Sequence, residues 1–180
     1  TFTEGDSPVA IADTDATLSD VDSANLTSLT VTITNLQDGA AESLAATTGG
    51  TNINAVYDAG VLTLSGSDTV ANYQSVLRSV TYNNTSQNPG TTARNITFVA
   101  NDGTANSAAG TTTLAVAAVN DVPVLDLDAN NSGATGSDFA STFTEGDSPV
   151  AIADTDATLI DVDSLTLESL IVTITNLQDG

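Results

Sequence analysis

Leu29-Thr-Val-Thr-Ile-Thr-Asn-Leu36 is the stretch on which the fold class turns. In an extended chain successive side chains point to opposite faces, so Leu29, Val31 and Ile33 share one side and Thr30, Thr32 and Thr34 the other. That is the pattern of an antiparallel strand with one face on a core and one in water. Shorter runs of the same kind stand at 2–4, 9–12, 53–57, 61–65, 79–83, 95–100 and 111–119. Between them lie Asp38-Gly39, Gly49-Gly50, Asp58-Ala59-Gly60, Asn88-Pro89-Gly90 and Asp102-Gly103, residues that favour turns. Asp58-Ala59-Gly60 reads as a tight hairpin. One segment departs from the alternation. Val70, Tyr73, Val76 and Leu77 are spaced for one face of a helix over 68–78, with Ser67 as its cap and Asp68 in its first turn. About seven or eight short strands with one helix predict an all-β Greek-key sandwich.

The same strand occurs twice. Residues 1–18 return letter for letter at 142–159, a shift of 141, and the match runs on to Gly180. Only five positions differ, pairing Ser19, Ala24, Asn25, Thr27 and Thr30 with Ile160, Leu165, Thr166, Glu168 and Ile171. A period this long is a whole domain. The chain therefore reads as one complete repeat, 1–141, including a linker at 123–141, followed by the N-terminal part of the next at 142–180. The second piece holds only the first strands of a domain, and an isolated strand pair is marginal in water. Those strands are completed by further chain or by a neighbouring molecule. Addition of 142–180 to another copy's sheet would give a homopolymer.

Charge and missing residue types narrow the function. The net charge is −21, with two basic residues, Arg78 and Arg94. Phosphate binding needs clustered Lys and Arg, so nucleic acid is excluded as a partner. No apolar run approaches the roughly 18 residues of a membrane span. There is no Cys and no His, which removes disulfides, thiol nucleophiles, the common general base and most transition-metal sites. Carboxylates alone can run glycoside hydrolysis, but seven aromatic residues make a poor sugar platform, and no enzymatic activity is expected.

Four acidic segments stand out: Thr3-Glu4-Gly5, Asp20-Val21-Asp22, Asn101-Asp102-Gly103 and Asn120-Asp121-Val122-Pro123. The second copy repeats the first two as Glu145 and Asp161-Val162-Asp163. Aspartates two apart can turn both carboxylates to one ion where the backbone leaves the strand alternation. Carboxylate, Asn and backbone oxygens without His or Cys suit Ca²⁺ better than Zn²⁺, and Mg²⁺ prefers to keep its waters. Asp-x-Asp also forms ordinary loop turns through its own backbone hydrogen bonds. Asp13-Thr14-Asp15 is a second such pair, ranked below Asp20-Val21-Asp22 because it stands beside a strand end, where a turn alone would account for it.

In this order, Glu near the start, Asp-x-Asp before a strand, a late Asn-Asp-Gly and Asn-Asp-x-Pro at the exit, the segments resemble cadherin repeats. TFTEGDSPVAIAD, YQSVLRSVTYNNTS, ITFVANDG and AVNDVPV look more closely like the cadherin-like repeats of large secreted bacterial proteins, including RTX-type adhesins and biofilm-matrix proteins. The resemblance covers essentially all of 1–141 and implies that the sandwich is of the cadherin or immunoglobulin kind. It implies Ca²⁺ ligands at Glu4, Asp20, Asp22, Asp102, Asn120 and Asp121, and at Glu145, Asp161 and Asp163 of the second copy. Two departures stand beside it. The family's Leu-Asp-Arg-Glu segment is replaced by Tyr82-Asn83-Asn84-Thr85, and the gap from Asp121 to Glu145 is longer than a cadherin linker. The expected function is that of an extracellular structural or adhesive module, a calcium-stiffened rod in which neighbouring repeats are each other's partners. A calcium-dependent module for cell-surface glycans is the alternative.

Overall fold

The computed structural model describes residues 1–178, and the chain divides into two compact units, Thr1–Val119 and Asn120–Gly180. The segment 123–141, assigned from sequence to the first repeat as its linker, falls in the second unit.

The first unit is mostly β, with one short helix. Its strands are β1 (Phe2–Thr3), β2 (Val9–Ala10), β3 (Asn25–Ile33), β4 (Glu42–Ala45), β5 (Asn54–Asp58), β6 (Val61–Thr69), β7 (Thr81–Asn84), β8 (Arg94–Asn101), β9 (Gly110–Leu114) and β10 (Val116–Ala117). The helix α1 (Val70–Arg78) lies between β6 and β7. An antiparallel sheet runs β5-β6-β3-β8-β9 and a second runs β2-β7-β4, while β1 pairs in parallel with β10. The chain thus passes through α1 from the larger sheet to the smaller.

The Leu29 strand lies at the centre of the larger sheet, hydrogen-bonded to β6 on one side and β8 on the other. Leu29, Val31 and Ile33 are buried as the alternation predicts, and join Leu62, Leu64 and Ile96 of the same sheet. Leu44 and Tyr82 of the smaller sheet, with Tyr73, Val76 and Leu77 of α1, belong to the same core. Two sheets closing on one apolar interior are consistent with a β-sandwich.

Local chemistry sets the turns. Asp58 pairs directly with Val61, leaving Ala59 and Gly60 as a two-residue loop with φ of 43° and 89°. Both angles are positive, as a hairpin turn that follows the strand twist requires. Gly66 has φ of 134°, and a Cβ there would stand 2.2 Å from the carbonyl oxygen of Asn52. Only glycine fits that approach.

The helix begins later than its sequence suggests. Thr69, not Ser67, is the cap: its Oγ1 accepts the N–H of Asn72 at 3.2 Å. Asp68 precedes the helix instead of lying in its first turn. Its carboxylate accepts the N–H groups of Asn52 and Thr69 and the Asn72 amide, each at 2.7 Å. It ties a loop to the helix start.

A polar network lies inside the first unit. Arg94 and Glu42 are fully buried and paired through Nε and Oε1, and Arg94 Nη2 reaches Asp38 Oδ2 at 2.6 Å. Arg94 Nη1 donates to the carbonyls of Gly90 and Thr92. Tyr82 donates to Glu42 Oε1, and Asn84 donates to Asp38. Burial is the main cause of a Tyr82 hydroxyl pKa pushed up to about 12.

In the second unit β11 (Val124–Asp126) pairs antiparallel with β12 (Thr158–Ile160). Beyond β12 no strand is formed among the described residues. Leu167, Leu170, Val172 and Ile174 are exposed there, although they repeat the buried Leu26, Leu29, Val31 and Ile33. No helix among the described residues is long and apolar enough to cross a membrane.

Candidate metal centre

In the first unit the Asp20 turn and the Asp102 loop meet. Asp22 and Ser23 donate their N–H groups to Asp20 Oδ1 at 3.1 and 2.8 Å, and the Ser23 hydroxyl lies 3.4 Å from Asp102 Oδ2. Asp102 Oδ1 accepts the N–H groups of Thr104 and Ala105 at 2.7 Å each. Those backbone bonds, Ala105 first, hold its carboxyl below the usual carboxylate range. Asp20 and Asp102 line one small cleft of about 190 Å³ with Leu18, Leu26 and Ser107. Glu4 is engaged elsewhere, accepting the N–H of Val119 at 2.9 Å across the paired β1 and β10.

The second unit repeats the Asp-x-Asp turn. Asp163 and Ser164 donate to Asp161 Oδ1 at 3.2 and 2.9 Å. Here the exit motif joins it: Asp121 N–H donates to Asp163 Oδ2 at 3.1 Å. The Asp163 carboxyl is held low, first through its contact with the Asp161 carboxyl and then by the Asp121 N–H. Asn120 stands next to this pair in sequence, and its side-chain amide donates to the Asp121 carbonyl at 2.5 Å. Glu145 is exposed in a separate turn, closed by the Asp147 N–H on the Thr144 carbonyl. The equivalent turn in the first unit is closed by Asp6 on Thr3.

None of these candidates belongs to the one group of three metal-binding side chains, among the described residues, whose ligand atoms all lie within 4.8 Å of one another. That group is Asp128, Asp154 and Asp156. Asp128 comes from the loop after β11, and the other two precede β12. Asp128 is fully buried, and its oxygens accept N–H groups from Ser132, Gly133 and Ala134. Burial raises its pKa, and those hydrogen bonds together outweigh it, leaving the carboxyl below the ordinary range. Ser132 Oγ lies 3.3 Å from Asp128 Oδ1 and 3.1 Å from Asp154 Oδ2. The Asp154 N–H donates to the Leu127 carbonyl at 2.8 Å, and the Asn130 N–H to Asp156 Oδ2 at 3.1 Å.

Among the described residues, three carboxylate oxygens are buried without a hydrogen-bond partner: Asp121 Oδ2, Asp156 Oδ1 and Asp163 Oδ1. A buried anionic oxygen is costly unless a donor or a cation meets it. No cationic side chain is within the unit's own sequence, because residues 120–180 contain no Lys, Arg or His. Hard divalent cations take carboxylate, carbonyl and hydroxyl oxygens, the donor types gathered here.

Asp154-Thr155-Asp156 is the second copy of Asp13-Thr14-Asp15, the pair ranked below Asp20 and Asp22 from sequence. In the first copy it is a turn, with Asp15 N–H on Asp13 Oδ1 at 3.1 Å. The second copy differs because Asp128 approaches it. The sequence signal was Asp126 and Asp128 close behind Asp121, in a segment read as a linker. A scan against protein-family models finds no match to this chain, and searches among curated proteins and solved structures find none either.

Proposed function

We propose that this chain is a calcium-binding structural repeat of a bacterial extracellular surface or matrix protein. Cadherin-like Greek-key sandwiches follow one another in tandem, and Ca²⁺ stiffens the array into a spacer or fibre. Its role is mechanical, with no catalytic step. The observation that carries the reading is the unpartnered, buried Asp156 Oδ1 beside Asp128 and Asp154, in a stretch of chain with no cationic residue. A cation from solvent would supply the missing charge. Unpartnered oxygens on Asp121 and Asp163 support a second position of the same kind. Asp20, Asp22 and Asp102 are the corresponding candidates in the first unit, with Glu4, Asn120, Glu145 and Asp161 as further ligands.

Ca²⁺ is favoured over Mg²⁺ because the oxygens are numerous and of mixed type, whereas Mg²⁺ demands tight octahedral geometry and keeps its waters. Calorimetric titration of the full chain with CaCl₂ and MgCl₂ tests this. Saturable Ca²⁺ binding that weakens at least about tenfold in Asp156→Asn supports the reading. Binding unchanged in that variant contradicts it.

The exposed Leu167, Leu170, Val172 and Ile174 fit the further proposal that 142–180 completes its sheet against another molecule. Fibres that vanish when 142–180 is deleted support it, and fibres that persist refute it.

A further inference from the structure

The larger sheet ends in β5, and among the described residues no strand pairs with its outer side. Asp58 and Val61 flank the two-residue loop, and the pairing runs on through Val56 with Thr63 and Asn54 with Ser65. The Ile33 N–H reaches the Gly60 carbonyl at 2.8 Å, so Leu62 and Leu64 bond to β3, and Val61, Thr63 and Ser65 to β5. Their partners Asn54, Val56 and Asp58 therefore turn their backbone groups to β6. Those of Ala55 and Tyr57 point outward, and among the described residues no hydrogen bond engages them.

The edge is held in place and carries little protection. The Tyr57 hydroxyl donates to the Glu42 carbonyl at 2.8 Å and accepts the Gly60 N–H at 3.0 Å, fixing the strand. Sheet edges are ordinarily guarded by charge, proline or a bulge. Here the pairing with β6 has no register shift, 54–58 contains no proline, and its one charge is Asp58 at the end. Val56, at the middle, is 55% exposed, and is the one large apolar side chain exposed in a strand of the first unit among the described residues.

We infer that β5 is a docking edge for a second copy of this chain, which adds its own β5 antiparallel across a two-fold axis at Val56. Asn54-Ala-Val-Tyr-Asp58 is complementary to itself in that direction. Ala55 exchanges both outward backbone hydrogen bonds with Tyr57 of the second copy, and Tyr57 does the same with its Ala55. Val56 meets Val56 in the close, non-hydrogen-bonded kind of pair. Asn54 lies opposite Asp58, amide to carboxylate, whereas an in-register parallel pair would set Asp58 against Asp58. A net charge of −21 repels copies at a distance, and this contact of backbone and valine brings no carboxylates face to face. It depends on neither bound calcium nor residues 142–180. Under the tandem reading proposed above, two antiparallel arrays would pair repeat by repeat and gain avidity.

The absence of cysteine makes the contact testable by disulfide trapping. Full-length Val56→Cys and Thr63→Cys chains are each mildly oxidised alone. Both positions are exposed, so neither substitution threatens folding. Across the axis the two residues at 56 stand within disulfide reach, whereas those at 63 are three strand spacings, roughly 14 Å, apart. Disulfide-linked dimer is expected in at least about tenfold greater yield from Val56→Cys. Raising the ionic strength from about 0.01 to about 0.15 M shortens the screening length from about 30 to about 8 Å and should widen that difference, by relieving repulsion between copies. Equal yields, no Val56→Cys dimer at protein concentrations up to about millimolar, or a difference that shrinks with salt overturn the inference.

Discussion

Asp20 and Asp161, one repeat length apart, hold the same turn. Each Oδ1 receives the N–H groups two and three residues on, at 3.1 and 2.8 Å for Asp20 and 3.2 and 2.9 Å for Asp161. The residues on either side have changed, with Ser19 replaced by Ile160 and Ala24 by Leu165. The first copy goes on into a central strand and the second does not. The turn is therefore a local property of Asp-x-Asp-Ser, and its carboxylate serves the backbone before it serves any ion.

Asparagine at position 20 separates those roles. Its side-chain oxygen can still accept both N–H groups, so Asp20→Asn should change stability in EGTA by less than about 0.5 kcal/mol, while Asp20→Ala costs about 1 kcal/mol. Only the charge is lost in Asp20→Asn, and Ca²⁺ binding to the first unit should weaken. Thermal melts with and without calcium read both effects.

Arg94→Ala should be severe. It leaves Glu42 buried without its charge partner and frees the carbonyls of Gly90 and Thr92, a loss of about 3–5 kcal/mol. Arg94→Lys should recover only part of this, because a single ammonium cannot span Glu42, Asp38 and two carbonyls as the guanidinium fork does. Urea unfolding of the two variants gives the comparison.

Gly66→Ala places a Cβ against the Asn52 carbonyl at an angle that side chains rarely adopt. A loss of at least about 2 kcal/mol is expected. A control at Gly49, where a Cβ meets nothing within 4 Å, should be near neutral in the same unfolding measurement.

Acid should destabilise the fold. Asp68 and Asp102 are held below the ordinary carboxylate range, chiefly by backbone N–H groups of Asn52 and Ala105 respectively. A carboxyl lowered by folding adds stability that is fully present above its unfolded pKa of about 3.9 and disappears as pH falls through the lower folded value. In EGTA and high salt, which screens general repulsion, the melting temperature should stay level from neutrality to about pH 5 and fall below about pH 4. A melting temperature that rises into acid would count against these assignments.

The strand pattern was legible where burial alternates residue by residue, as at Leu29, Val31 and Ile33. It was not legible at β4, where Glu42 is buried because Arg94 reaches it from a distant strand. The helix cap was misplaced by two residues because Ser67, Asp68 and Thr69 are all good caps, and contact with Asn52 takes Asp68 for another use. At the candidate site, the Asp-x-Asp and exit motifs were visible as patterns, and the structure brings Asp121 to Asp163 and Asp20 to Asp102. The Asp128 group was hidden, since it joins residues 26 and more apart. A segment rich in Asp, Asn, Ser and Gly reads as a tether until its strand partner is known.

Under the proposed function, cations complete the acidic turns and stiffen the array. Thermal melting and small-angle X-ray scattering of the full chain in calcium, and again after EGTA, measure both effects. At a hundredfold excess over the dissociation constant, calcium should stabilise each occupied unit by about 2.7 kcal/mol, raise the melting temperature and narrow the scattering-derived distribution of lengths. Melting and scattering profiles that coincide with and without calcium would rule out a calcium-stiffened array.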